Sequence, residues 1–520
     1  MRNVAATWFR IEGAMKREVL LRIAPGPIAL VLALVALAGT GCTVGQDYVR
    51  PSVETQQKYR FASDVVPSPS LPEVPDWWRA FGDAELDALV REGLGANHDL
   101  RIATARVEEF AATVSATHAQ ALPQVAYGAN AGRQRVGGVA TGSYSLLVSA
   151  SWELDLWGRI HRQDEAARAT LLATEQARLG VALTLVSSII TSYVTLLDLD
   201  RSLQIAEETL EGRKHNVEIF QTRLKGGAVS DFEMSQVTAE YETAASSIPD
   251  LKQAIAQQEH ALSVLIGRNP GPIKRGRTLR QLTAPPVPAG LPSDLIARRP
   301  DILAAEQQLV AANALVGAAR ALYFPTISLT GFGGTASNDL DNLFSGPARS
   351  WSFAGQLLGP IFAGGAIDAA NQQALARREQ ALEAYKQSIQ SAFRDVENAL
   401  IAIQYRRDAI ASLERLVASL ERGVELSRER YDNGYADYLE VLDTERSLFS
   451  AELSLSTAHG DRYRALVALY AALGGDWIPQ VAPLPAAGQR PAQDGADAAG
   501  EPTSRKATDE NANVDRAKRF

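Results

Sequence analysis

The feature that most limits what this chain can become is an internal duplication. Asn97-His98-Asp99-Leu100 in the first half answers to Arg298-Arg299-Pro300-Asp301-Ile302 in the second. Asp99 and Pro123 align with Asp301 and Pro325 at a shift of 202 (301 − 99, and 325 − 123). Gly227 and Gly267 align with Gly434 and Gly474 at a shift of 207 (434 − 227, and 474 − 267). A shift that grows by only five residues fits an insertion in one connecting loop. Such a period means two pseudo-equivalent units of one object. Length alone, 520 residues, would have suggested roughly three domains.

Each copy opens with alternating runs. From Tyr144 to Leu156 the even positions Tyr144, Leu146, Val148, Ala150, Trp152, Leu154 and Leu156 are apolar. Between them lie Ser145, Ser149, Ser151, Glu153 and Asp155, with Leu147 the exception. This period of two predicts a strand with one apolar and one wet face. The run exceeds the usual globular strand of about five or six residues. It suits a tilted membrane-spanning strand, for which about nine to eleven suffice. Tyr144, Trp152 and Trp157, near its ends, would fit an aromatic girdle. Pro123 to Ala131 alternates likewise through Val125, Tyr127 and Ala129. The second copy repeats both runs, with Ile327 and Leu329, then Trp351, Phe353 and Leu357. The linking segments 132–143 and 336–349, rich in Gly, Ser, Asn and Asp, read as extracellular loops. Four strands cannot close a barrel, and an open edge in lipid costs several kcal/mol per unpaired backbone group. A membrane reading therefore requires oligomerisation; a soluble four-stranded sheet is the alternative.

Long helical stretches follow. One runs without proline from Gly158 to Lys225, and a second from Ser230 to Ile266, interrupted at Pro249. Their counterparts are Ala366–Asp432 and Asp437–Leu473. A continuous helix of about 65 residues would be roughly 100 Å long, beyond any compact domain. The seams Leu179, Leu183, Val186, Ile190, Val194 and Leu413, Leu416, Leu420, Val424 predict helices packed side by side. An ordinary helical bundle would satisfy the same periodicity. The stretches meet at Arg223–Glu233 and Arg430–Glu440. In each, glycine can end one helix in the left-handed region, and Ser230 with Glu233, or Asp437 with Glu440, forms a capping box for the next.

The N-terminal segment has Met15 as an alternative start, Lys16, Arg17 and Arg22, an apolar run from Ile28 to Ala38, then Gly39-Thr40-Gly41-Cys42. That order predicts an export signal over residues 1–41. Gly39 to Cys42 resembles a bacterial lipobox, with Gly39 where that pattern usually has leucine. The resemblance implies S-diacylglycerol and N-acyl groups on Cys42, and Thr43 in place of aspartate points to the outer membrane. A buried free thiol behind an ordinary signal is the alternative. With one cysteine there is no intrachain disulfide. Without residues 1–41, the charge is (52 − 5) − (60 − 2) = −11, which argues against nucleic acid as a partner.

Four short elements occur in order: Asp47-Tyr48-Val49-Arg50-Pro51, Trp77-Trp78 with Phe81, Asn97-His98-Asp99-Leu100 and Arg298-Arg299-Pro300-Asp301-Ile302. With the duplication, they make the chain from about Cys42 to Gly475 resemble the TolC-like outer-membrane efflux factors, in the lipoprotein (NodT/OprM-like) branch. The resemblance implies an α+β membrane protein, a homotrimer. Four strands per chain would build a transmembrane β-barrel continued by a long periplasmic α-helical barrel. It also implies a passive exit duct for small toxic compounds, served by a periplasmic adaptor (membrane fusion protein) and an inner-membrane RND pump. Family tips contact the adaptor, which carries over to Arg223, Leu224, Gly227 and Ser230 and to Arg430, Tyr431, Gly434 and Asp437. Leu439 and Asp443, four apart on one helix face, match positions that line the periplasmic constriction. On their own residues the tips are also well-made αα turns, and Asp443 is a carboxylate favoured near a helix start.

The expected organisation is a signal at 1–41, an extended segment and first helix at 42–96, and a first repeat at 97–267. A linker at 268–297, a second repeat at 298–475 and a Pro/Ala/Gly-rich, disordered tail at 476–520 complete it. The exit channel of a type I protein secretion system and a non-spanning coiled-coil lipoprotein are the competing readings. No enzyme is expected. The six histidines are scattered, no phosphate loop occurs, and the pairs Glu108–Glu109 and Asp231/Glu233 lack any pocket-forming context. No metal site or cofactor other than the Cys42 lipid is expected either.

Overall fold

The computed structural model describes residues 43–53, 56, 59–61, 76–285 and 292–474. Cys42, the signal segment and the tail from 476 lie outside the described residues. Ahead of the first copy lies α1 (Ala84–Ala96); the copy contains α2 (His98–Ala119), β1 (Gln124–Val136), β2 (Val139–Leu154), α3 (Arg159–Lys225) and α4 (Asp231–Leu265). The second contains α5 (Pro292–Arg298), α6 (Pro300–Ala321), β3 (Thr326–Ser337), β4 (Arg349–Leu358), α7 (Ala366–Asp432) and α8 (Tyr438–Ala472). Both α3 and α7 have 67 residues, and both α4 and α8 have 35.

Two expectations about these elements fail. Pro249 does not interrupt its helix, which is continuous from Asp231 to Leu265. A proline removes one N–H and displaces the preceding turn. Here the hydroxyls of Ser246 and Ser247 donate to the carbonyls of Thr243 and Ala244 at 2.9 and 2.8 Å, holding that turn. Nor is 132–143 a loop. The ladder of β1 and β2 continues to Val136↔Val139, closed by a two-residue turn at Gly137-Gly138. Both glycines have positive φ (58° and 85°), the backbone that a tight hairpin turn requires.

The strands form one antiparallel sheet in the order β1-β2-β3-β4, with both outer edges open. Its register gathers the apolar positions of every strand onto one face. Tyr127 pairs with Val148 and Ala129 with Leu146, Trp152 with Leu329, and Ile327 with Leu357. The opposite face carries pairs such as Asn130↔Ser145 and Ser328↔Gln356. Tyr127, Trp351 and Phe353 are exposed, so the apolar face is uncovered in the single chain.

The short helices stack end to end in pairs. Asn97 caps α2, accepting from Leu100 N at 3.0 Å, and its amide donates to the Leu265 carbonyl at the end of α4 at 2.9 Å. In the second copy Arg299 replaces it: Nη1 donates to the Ala472 carbonyl at the end of α8 at 2.9 Å. Asp301 and Asp395 pair with the same guanidinium at 2.8 and 3.2 Å. Gly267 and Gly474, with φ of 78° and 65°, lie so close to Ala96 and Arg299 that a Cβ would sit 2.5 and 2.7 Å from the nearest atom. Thus α2 with α4, and α6 with α8, each act as one long rod beside α3 and α7. The segment before the first copy reaches the second copy at this level, where Trp77 stacks on Tyr470 at 4.4 Å and an interplanar angle of 3°. Trp77, Phe81, Leu86 and Val90 pack there with Ile189, Tyr193, Leu466 and Val467. A second core joins Ile302 and Leu309 to Tyr385, Ile389, Val396 and Leu469.

The helical hairpin ends as candidate functional site

At the end away from the sheet, the helices finish in two αα turns. Gly227 and Gly434 take the left-handed conformation, with φ of 70° and 74°. The backbone N–H groups of Ala228 and Tyr435 then return to the carbonyls of Arg223 and Arg430 at 2.9 and 2.8 Å. The first turn opens α4 through a complete capping box: Glu233 N donates to Ser230 Oγ at 3.2 Å and Ser230 N to the Glu233 carboxylate at 2.7 Å. The second does not. Asp437 makes no side-chain cap: Glu440 N donates to the Asp437 carbonyl at 3.1 Å, and the Glu440 carboxylate pairs with Arg430 at 3.1 Å.

The two turns lie against each other. Phe220, Tyr431 and Tyr438 form an aromatic cluster, with Phe220–Tyr438 centroids 4.3 Å apart and Tyr431–Tyr438 centroids 5.0 Å apart. Val237, Val441 and Leu442 complete the apolar plug. Burial pushes the Tyr438 phenol well above its ordinary value. Arg223 spans the junction, reaching Asp432 at 3.2 Å and lying over the Tyr431 ring at 5.7 Å. Its hydrogen bond to Asp432 raises the guanidinium pKa further, against the pull of desolvation. Of the tip residues named from sequence, Arg223, Tyr431 and Arg430 are therefore engaged within the protomer. Gly227, Gly434 and Asp437 are exposed.

Leu439 and Asp443 lie on the exposed side of α8, while Tyr438, Val441 and Leu442 on its other side fill the plug. They are four residues apart and so share a face. Two features were missed in the sequence. Phe232, the counterpart of Leu439 by the 207 shift, is an exposed aromatic at 71%, and Tyr435 is another at 78%. Farther up, Glu240 is buried between Arg213 at 3.2 Å and Arg446, whose Nε lies 2.7 Å away. This triad ties α3, α4 and α8 together. A carboxylate so buried requires paired cations, but the partners are hundreds of residues away in part, and no local pattern marks them. Among the described residues no group of three or more His, Cys, Asp or Glu is placed to hold a metal ion.

Comparison with known proteins agrees with this geometry. The family described as outer membrane efflux protein matches residues 89–268 and 291–475. The chain is 36% identical over 457 residues to the cation efflux system protein CusC of Escherichia coli O6:H1, covering 87% of this chain and 99% of that one. It is 34% identical over 453 residues to the solvent efflux pump outer membrane protein SrpC of Pseudomonas putida, covering 84% and 96%. The open-state MtrE outer membrane channel of Neisseria gonorrhoeae superposes with a TM-score of 0.76 at 32% identity, covering 84% of this chain and 99% of that one. In this architecture three chains contribute four strands each to one β-barrel in the outer membrane, and their helices continue it as an α-helical barrel through the periplasm. The assembly is a transport duct and not an enzyme. The chain belongs to the outer membrane efflux protein family and is one protomer of an outer-membrane exit duct.

Proposed function

We propose that the paired hairpin ends are the docking surface for a periplasmic adaptor that links the duct to an inner-membrane RND pump. The contacts are assigned to Arg223, Leu224, Gly227 and Ser230 on one turn and Arg430, Tyr431, Gly434 and Asp437 on the other. The observation that carries this reading is the exposure of Tyr435 on the second turn, 78% exposed at the end of the molecule farthest from the membrane sheet. A large aromatic side chain exposed on a rigid, internally paired turn offers a surface that a partner can cover. Leu439 and Asp443 are assigned to the periplasmic constriction. The cargo is a class of small toxic compounds. Relatives of similar identity are named for a cation and for solvent, so likeness to them does not narrow that class further. Cys42, outside the described residues, is assigned the lipid anchor; loss of palmitate labelling in Cys42→Ser would support this, and retained labelling would refute it.

The test is crosslinking in intact cells, with a photoreactive residue at Leu224 or at Tyr435. Capture of an adaptor together with an RND pump is the expected result. An ABC exporter in its place would move the reading to type I secretion, while crosslinks to cell-wall proteins alone would remove docking from these turns.

A further inference from the structure

The membrane-facing side of the sheet changes character along its length. Toward the helices it is apolar, with Val125, Tyr127, Val148, Leu329, Phe353 and Leu357. Toward the turns the apolar run of β2 ends in the ring of Tyr144; that of β4 ends in Trp351, in the rung of Tyr127 and Val148 and 6.1 Å from Phe353. Outward of Tyr144 on the first hairpin, and outward of Trp351 along β4, the same face becomes basic. Ala131 pairs with Tyr144, so the next outward positions on β1 are Arg133, opposite Gly142, and Arg135, opposite Ala140. On β4, Arg349 stands opposite Thr335, two residues before Trp351 and on its face. The period of two places all three arginines outward, and all three are exposed.

None of them is neutralised. Among the described residues Arg133 and Arg349 make no ion pair, and Arg135 donates to the Gly138 carbonyl at 3.1 Å. The carboxylates of this end, Asp339 and Asp341, lie in the β3–β4 connection and pair with none of the three. The helices leave the opposite end of every strand, so this end faces the cell exterior. An arginine on the lipid side is tolerated near the interface, where an anionic headgroup can meet it. Its planar fork matches phosphate oxygens two at a time. Trimer closure adds the decisive step: the open β4 edge of one protomer must pair with the open β1 edge of the next. Arg349 thereby comes to the same seam as the next protomer's Arg133 and Arg135.

We propose that each of the three subunit seams binds a phosphate-bearing glycolipid of the outer leaflet through Arg133, Arg135 and Arg349. The rings of Tyr144 and Trp351 mark the boundary between its acyl chains and its headgroup. The contact joins two chains, so the lipid would fasten the barrel at its three closures.

Native mass spectrometry of the intact, detergent-solubilised trimer tests this, with bisphosphorylated lipid A, its dephosphorylated form and inorganic pyrophosphate as probes. Wild type is expected to retain up to three phosphorylated lipids per trimer and to discriminate against the dephosphorylated form. Arg133→Ser/Arg135→Ser/Arg349→Ser should lose about a hundredfold in affinity. Adding Gln134→Arg to that variant, which returns a cation to the lumen face, should not restore binding. Equal retention by the triple variant, rescue by Gln134→Arg, or equal retention of the dephosphorylated lipid would each overturn the site. Displacement of the lipid by pyrophosphate at equal concentration would show the ligand to be the free anion and would equally overturn it. If the triple variant does not form trimers, Arg349→Ser alone is measured, with a loss of about fivefold expected and an unchanged affinity decisive against the proposal.

Discussion

Replacing Ile361 and Phe362 together by serine should abolish the trimer while leaving each protomer's helices folded. These two residues lie on the connection from β4 to α7 and are 103% and 89% exposed, the highest values among the large apolar side chains described. The duplication says what covers them. In the first copy the same strand-to-helix connection carries Leu156 and Trp157. Trp157 stacks on Phe324 at 4.7 Å and donates its indole N–H to the Pro325 carbonyl at 2.7 Å. The counterparts of Phe324 and Pro325 are Leu122 and Pro123, and Leu122 is 52% exposed in the same protomer. The contact that joins the first copy to the second within a chain is therefore vacant between the second copy and the first of the next chain. A head-to-tail contact of this kind closes into a ring. Burying one large apolar side chain contributes about 2 kcal/mol, and six such side chains per trimer would be lost. The measurement is the heat-modifiable trimer band of outer-membrane fractions, with far-ultraviolet circular dichroism as the control for folding. A trimer yield equal to wild type would show that Ile361 and Phe362 face lipid rather than a neighbour.

How much of this was legible in the sequence depends on range. The strands showed because alternation is local, and the register that unites Tyr127, Val148, Leu329 and Leu357 on one face follows from it. The tips showed because Gly227 and Gly434 stand at equivalent places, each past the end of a proline-free helix. The loop expected at 132–143 was misread because Gly and Ser signal turns, whereas only Gly137-Gly138 turns and the remainder is an extended hairpin. The capping box expected at Asp437 failed in both halves: Glu440 N goes to the Asp437 carbonyl, and Arg430 offers the Glu440 carboxylate a charge, which a backbone N–H does not match. The stacking of α2 on α4 was invisible, since Asn97 and Leu265 are 168 residues apart and neither carries a pattern. The matching Arg299–Ala472 contact does explain why the second copy begins with Arg298-Arg299-Pro300-Asp301. The arginine reaches the helix below while Asp301 holds it.

Conductance is where the proposed constriction meets its test. Replacing Leu439 and Asp443 together by alanine should raise single-channel conductance in planar bilayers several-fold. Both side chains stand clear of the plug that Phe220, Tyr438 and Val441 make, so their removal leaves the tip packing intact. The anchoring contacts are also untouched: Arg223 holds Asp432 at 3.2 Å, and Arg446 holds Glu240 farther along α8. What changes is the bore alone. Three copies around the axis would remove a ring of apolar side chains and a ring of carboxylates, the two devices by which pores narrow and select. The single variants separate the two. Asp443→Asn should reduce preference for cations with little gain in conductance, because the ring keeps its width and loses its charge. Leu439→Ala should widen the path and leave that preference in place. If the double variant conducts as wild type does, these residues are surface positions of α8, and the narrowest point lies at another level of the helical barrel.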